Sequence, residues 1–261
     1  MTTLPPKASF PLAQPKLDEP WVDLPNAQAF ESWTKPDEVA YNQANRQIEK
    51  YRFFVKAFDF IQDVGLKGDY HEYGCHRVRT FRMALTEARR HFLDHMKFWA
   101  FDSFAGLPDS TSNPSHPLWN TAGALTTTED EFRAIVERHG IYADRVTTVK
   151  GFYDKTLTAE RTTTFLDNEA KISLACIDCD LYESAVPVFN FIEPLLQEGS
   201  LLYLDDIFVG YKGSPHRGVA RAFLEFQKRS RFKFIRHMDV GWWGRSYITY
   251  LPDSSVPDGV L

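Results

Sequence analysis

The sequence predicts an α/β protein built on a doubly wound, mostly parallel sheet. Short apolar runs alternate with stretches of helical periodicity along most of the chain. Two of the runs, Ile172–Ile177 and Ser200–Leu204, are continuously apolar, as strands covered on both faces must be. Each ends in an acidic cluster, Asp178-Cys-Asp-Leu-Tyr-Glu-Ser184 and Asp205-Asp206, and a helical pattern ending at Gly199 lies between them. Strand, helix, strand puts both clusters at the carboxyl ends of parallel strands, where open α/β sheets bind ligands.

In chain order, residues 1 to about 40 are Pro-rich and without sustained periodicity. The stretch 1–45 reads as an irregular extension, with at most a short turn of helix, serving as a lid or an oligomer contact. The domain proper spans 46–261. Tyr51, Phe54, Val55, Phe58 and Ile61 space a helix over Tyr41 to Val64, closed by Gly65 and Gly68. Asp69 to Gly74 is a first strand running into a turn, Phe81 to Phe92 a helix, and Phe98 to Phe101 a second strand ending at Asp102. A polar segment from Asp109 to Ala124 reads as a loop. Glu129 to Gly140 is a helix capped within Thr126 to Thr128. Val146 to Val149 is a third strand, ending in Lys150-Gly-Phe-Tyr153. After the two acidic strands come a helix from Val219 to Ser230 and closing strands at Phe232–Ile235 and Arg245–Leu251.

Composition narrows the function. A net charge of −5 argues against a nucleic-acid partner, because phosphate contacts need a basic surface. Three cysteines, Cys75, Cys176 and Cys179, are too few for a disulfide framework and suit a reducing compartment. The C-x-x-C of Cys176 and Cys179 straddles a strand end, so the pleat separates the two side chains and both read as packing residues. No segment has transmembrane length, and the start lacks the apolar core of a secretion signal, so a cytoplasmic protein without a membrane partner is expected.

The acidic clusters carry most of the chemistry. Asp178, Asp180, Asp205 and Asp206 gathered in one crevice repel one another unless a cation or proton joins them. Hard oxygen donors suit Mg²⁺, Mn²⁺ or Ca²⁺. Such a site lowers the pKa of a bound hydroxyl for a nearby carboxylate or histidine, with His216 a minority candidate beside Asp178 and Asp180. Glu72, Gly74 and Cys75 form the turn after the first strand, where Gly74 admits close backbone approach to a cofactor. G-x-G-x-x-G is absent there, which counts against a dinucleotide. Asp102 stands where an acidic residue accepts ribose hydroxyls, with a turn aspartate as the alternative. Phe101 and Phe104 flank an adenine or pack in the core.

Taken together, Phe101-Asp-Ser-Phe-Ala-Gly-Leu-Pro108, Lys150-Gly-Phe-Tyr-Asp-Lys-Thr-Leu157, Asp178-Cys-Asp-Leu-Tyr-Glu-Ser184, Tyr203-Leu-Asp-Asp206 and Gly218-Val-Ala-Arg-Ala-Phe223 resemble the macrocin O-methyltransferase (TylF-like) family of class I S-adenosylmethionine-dependent methyltransferases. The resemblance covers roughly residues 45 to 250. It implies a seven-stranded, Rossmann-like class I methyltransferase fold. It also implies S-adenosylmethionine as cofactor and Mg²⁺-assisted methyl transfer to a hydroxyl, usually on a sugar of a glycosylated small molecule. The cofactor would then meet Glu72, Gly74, Cys75, Arg77, Asp102, Ser103, Phe104, Gly151, Phe152 and Asp178. Asp178, Asp180, Asp205 and Asp206 would hold the metal, with Asp178 or Asp180 as base.

One departure stands out. The family's turn, E-x-G-x-x-x-G-G, here reads Glu72-Tyr-Gly-Cys-His-Arg-Val-Arg79. Either Arg77 or Arg79 meets the methionine carboxylate, or cofactor binding is altered or lost. Two other readings use the same scaffold: a metal-dependent hydrolase or hydroxylase, and a non-catalytic binding relative. Trp242 and Trp243 stack on a sugar or aromatic acceptor, or bury a contact in a homo-oligomer.

Overall fold

The computed structural model describes residues 27–109 and 121–253. The Pro-rich start before residue 27 and most of the polar loop expected over 109–124 lie outside these residues. The chain divides into two compact units, Met1–Asn45 and Arg46–Leu261.

In the first unit the described residues apart from Trp33 and Thr34 are helical, where the sequence suggested an irregular extension with at most a short turn of helix. A short helix α1 (Ala27–Ser32) precedes the start of α2 (Lys35–Asp63). The Thr34 backbone N–H and hydroxyl both donate to Asp37 Oδ2, at 2.8 and 2.6 Å. Pro36 sits in the first turn, where its missing N–H costs nothing. A capping signal thus starts α2 well before its apolar stripe begins.

The second unit is a seven-stranded sheet: β1 (Asp69–Tyr73), β2 (Phe98–Asp102), β3 (Val146–Lys150), β4 (Ile172–Ile177), β5 (Leu201–Leu204), β6 (Lys233–Val240) and β7 (Gly244–Tyr250). The strand order is β3-β2-β1-β4-β5-β7-β6. β1 to β5 are parallel, and β7 inserts antiparallel between β5 and β6. Strand order reverses between β1 and β4, so the ligand crevice of such a sheet opens above their carboxyl ends.

Each strand shares its alternate side chains between two cores. Leu174, Cys176, Leu201 and Tyr203 pack on one face with α2, α3 (Arg79–Arg90) and α4 (Glu129–His139). Ile172, Ala175, Ile177, Leu202 and Leu204 pack on the other with α6 (Ala159–Asp167), α7 (Tyr182–Ile192) and α8 (Gly218–Arg229). Cys176 and Cys179 fall into opposite cores, as the pleat requires, and all three cysteines are free and buried. Among the described residues no helix is long and apolar enough to cross a membrane.

Three elements differ from the sequence reading. α5 (Tyr153–Thr156) and α6 fill the β3–β4 crossover. α6 holds three consecutive threonines, poor helix formers, which hid it. It forms because Thr158 caps Arg161 N–H at 3.2 Å, the threonine hydroxyls bond back to carbonyls four residues earlier, and Phe165 anchors it in the core. β6 runs to Val240 rather than Ile235, and a register shift between Arg236 and Met238 breaks the alternation that would reveal it.

Candidate active site

The crevice floor is a close approach of two strand ends. Asp178 N–H donates to Tyr73 C=O at 2.9 Å, extending the β1–β4 ladder past the sheet. Gly74, at φ +96°, then turns away. A Cβ at this position would stand 1.8 Å from the Asp178 carbonyl oxygen, so no side chain fits. Gly74 is needed for the strand crossing itself, besides any ligand.

Behind it the turn is strained. Arg77 (φ +60°) and Val78 (φ +56°) are both left-handed, at and beside the place where the family pattern carries its two glycines. For β-branched Val78 this costs on the order of 1–3 kcal/mol. The turn is braced from outside, where Arg77 N–H donates to Thr127 Oγ1 at 2.9 Å and His76 Nδ1 lies 3.1 Å from the same oxygen. The chain therefore keeps a glycine-like turn without the glycines.

Asp102 ties this turn to the next. Its Oδ2 accepts Cys75 N–H at 2.6 Å and its Oδ1 accepts Phe104 N–H at 2.7 Å. Burial raises its pKa, and the two backbone bonds oppose that rise. Ser103 Oγ also reaches Oδ1, at 3.5 Å, so it is Oδ2 that keeps a lone pair compatible with a ribose contact. Ser103 Oγ closes a turn onto Gly106 C=O at 2.7 Å. The Phe104 ring is buried against Phe132, at 5.5 Å, and Phe101 stacks on Tyr73 at 4.7 Å. Both rings are core, so what Phe104 offers the crevice is backbone.

Glu72 is fully buried and turned from the crevice, accepting from the hydroxyls of Tyr70 and, at 2.8 Å, Thr80. Burial pushes its pKa up to about 7. Gly151, at φ +135°, ends β3 and donates to Asp102 C=O at 2.9 Å, with Phe152 exposed beside it. His216 is exposed in the loop before α8, its own N–H on Ser214 Oγ.

The acidic side of the crevice is more tightly built. Asp178, Asp205 and Asp206 each offer a carboxylate oxygen within 4.8 Å of the others. Asp180 stands outside that trio, in a left-handed turn (φ +58°) that aspartate tolerates, hydrogen-bonded to Asp206. Burial and the neighbouring carboxylates raise Asp178 and Asp206 well above the usual range and Asp180 to about 7. Burial works the same way on Asp205, but the Lys50 charge and hydrogen bonds from Lys50 and Tyr203 outweigh it and hold its carboxyl low. The four acids hold protons as a set.

Lys50 was not singled out from the sequence, and the roles of Trp243 and Tyr203 as donors to Asp205 were not read there. Lys50 Nζ lies 2.8 Å from Asp205 Oδ2 and 3.3 Å from Asp178 Oδ2. Trp243 Nε1 donates to Asp205 Oδ1 at 3.2 Å, and the Tyr203 hydroxyl donates to the same oxygen. Lys50 left a signal: it occupies a position three and four residues before Phe53 and Phe54, on the buried stripe that continues through Ala57, Phe58 and Ile61. A cation on an apolar stripe marks a buried partner.

Comparisons with known proteins bear on the family and the fold. The macrocin-O-methyltransferase (TylF) family model matches residues 36–243. A Streptomyces olivaceus protein, 8-demethyl-8-(2,3-dimethoxy-alpha-L-rhamnosyl)-tetracenomycin-C 4'-O-methyltransferase, is 28% identical over 148 residues, which is 54% of this chain and 54% of that protein. The match thus spans about half the length of this curated relative. Among solved structures, the calicheamicin methyltransferase CalS11 superposes with a TM-score of 0.64 at 17% identity, covering 87% of this chain and 94% of the other. The O-methyltransferase NovP gives 0.63 at 18% identity, covering 77% and 79%. At these identities the likeness is one of fold, that of the class I methyltransferases. With the family model spanning most of the sheet and both acidic strand ends, the chain belongs to the macrocin-O-methyltransferase (TylF) family.

Proposed function

We propose that the protein transfers a methyl group from S-adenosylmethionine to a hydroxyl on the sugar of a glycosylated or nucleotide-linked small molecule, assisted by a divalent cation. The observation that carries this reading is the convergence of Asp178, Asp205 and Asp206 beside the Gly74–Asp102 turns, in a chain of this family. The relatives' names support the acceptor class: one acts at the 4' hydroxyl of a rhamnosylated tetracenomycin, and CalS11 is described as a TDP-rhamnose 3'-O-methyltransferase.

The residues fit both groups. Asp102, at the end of β2 beside the Gly74 turn, keeps a lone pair on Oδ2 for ribose hydroxyls. Three clustered carboxylate oxygens are a donor set for Mg²⁺ or Mn²⁺. Asp178, Asp205 and Asp206 would hold the ion, which when bound supplies a Lewis acid that makes a sugar hydroxyl more acidic.

The rest belongs to the chain. Asp180, outside the trio and hydrogen-bonded to Asp206, is the carboxylate left free of the ion to receive the hydroxyl proton. The shared turn at Gly74 fixes donor and acceptor sides relative to one another, which is what an in-line displacement needs. Calorimetry with S-adenosylhomocysteine tests the donor half. Formation of S-adenosylhomocysteine on adding a rhamnosylated polyketide or a deoxythymidine-diphosphate sugar tests the acceptor half. No binding of S-adenosylhomocysteine with or without Mg²⁺ would sink the proposal.

A further inference from the structure

Lys50 is placed where a second cation would have to go. Its side chain is only 12% exposed, and its ammonium bridges carboxylates from two different strands, Asp205 at 2.8 Å and Asp178 at 3.3 Å. Both belong to the trio that would hold the metal.

Its position is fixed by packing. One turn along α2, the Phe53 ring lies 4.6 Å from that of Tyr203. The Tyr203 hydroxyl and Trp243 Nε1 both donate to Asp205 Oδ1. Arg46, one turn before Lys50, lies over the Trp243 ring at 5.1 Å. Asp205 therefore has one oxygen committed to Tyr203 and Trp243, and Lys50 on the other. An ion binding to Asp205 meets Lys50 at Oδ2 or two donors at Oδ1.

We propose that Lys50 is a tethered cation that competes with the divalent ion for Asp178 and Asp205. It is a positioning residue that keeps the carboxylates gathered in the metal-free protein and sets a weak metal affinity. The inference rests on the metal-assisted reading of the site. Two like charges cannot share a carboxylate pair at this range without cost, so a bound ion and the ammonium oppose one another. Removing the ammonium relieves that opposition, while Tyr203 and Trp243 still hold the Asp205 side chain and the backbone bonds to Tyr73 and Ile177 still fix Asp178 and Asp205 at their strand ends. Methionine suits the replacement, since its unbranched chain continues the apolar stripe.

The experiment is Mn²⁺ binding to the full chain followed by electron paramagnetic resonance, for wild type, Lys50→Met, Lys50→Gln and Lys50→Arg. The expected result is affinity raised at least about tenfold in the Met and Gln variants and little changed in Arg, which keeps the charge. In the same series Mg²⁺ should raise the thermal midpoint more in Lys50→Met than in wild type. If Lys50→Met does not fold, Lys50→Gln carries the test. Equal or weaker Mn²⁺ binding in the neutral variants, with wild type binding normally, overturns the inference alone. No Mn²⁺ binding in any of the proteins overturns the metal reading and this inference with it.

Discussion

Gly74 and Asp178 occupy one another's space: a Cβ on the glycine would fall 1.8 Å from the aspartate's carbonyl oxygen. The two residues follow adjacent strands, Gly74 beginning the turn clamped by Asp102 and Asp178 the acidic cluster. Both halves of the site are thereby built on a single backbone contact. Gly74→Ala should lower stability by about 3 kcal/mol or more, since backbone meets backbone and φ is +96° besides. Urea unfolding measures this, and a loss under about 1 kcal/mol would show that β4 can retreat.

Asp102 joins the two turns of the donor side through Cys75 and Phe104 N–H groups. An asparagine there presents an NH₂ to one of these donors, which leaves a half-buried N–H unpaired. Asp102→Asn should cost roughly 1–3 kcal/mol of stability and weaken S-adenosylhomocysteine at least about tenfold. Unchanged affinity with the stability loss intact would reduce Asp102 to a turn clamp.

The sheet was legible because its core strands are uniformly apolar and end in acid. Ile172–Ile177 and the run ending at Leu204 could hardly be anything else. α6 was not, because its threonines owe their helix to Thr158 and Phe165 rather than to propensity. The carboxylates of the site were legible as a set, since like charges at successive strand ends need a cause. Their partners were not: Tyr203 looks like core, Trp243 reads as an acceptor or oligomer surface, and Lys50 is one charge among thirty Lys and Arg until the stripe of α2 is drawn. Residues that act by pairing are visible only when the sequence pattern is read for exceptions.

Glu72 gives a pH signature. Burial raises its pKa to about 7 from an ordinary 4.5, so the folded state binds the proton more tightly than the unfolded chain. Its contribution to stability is complete below pH 4.5 and is lost as pH rises through 7, by about 3 kcal/mol at most. His71 runs the other way. Buried with a pKa lowered to about 3 from 6.5, it stabilises above pH 6.5 and loses that as pH falls. Between pH 4.5 and 6.5 the two slopes oppose. Glu72→Gln should leave the His71 slope and the decline from Asp178, Asp180 and Asp206 alone, so that from pH 4.5 to 7 stability falls less, or climbs more, than in wild type. Denaturation at a series of pH values measures it; a profile parallel to wild type would show Glu72 ionised in both states.

Under the proposed function Asp178 and Asp180 divide the remaining chemistry. Asp178 lies in the trio with Asp205 and Asp206, while Asp180 stands outside it, hydrogen-bonded to Asp206. The assignment of Asp180 as base predicts that Asp180→Asn lowers kcat by roughly 10²–10⁴-fold while Mn²⁺ binding changes little. Asp178→Asn should instead weaken Mn²⁺ at least about tenfold, because one anionic oxygen is lost from the ion's own ligands. The two measurements separate the roles, since one variant fails in chemistry with its metal retained and the other fails in metal binding. If Asp180→Asn loses the metal and Asp178→Asn keeps it, the roles are exchanged, and the base is the residue closest to the end of β4.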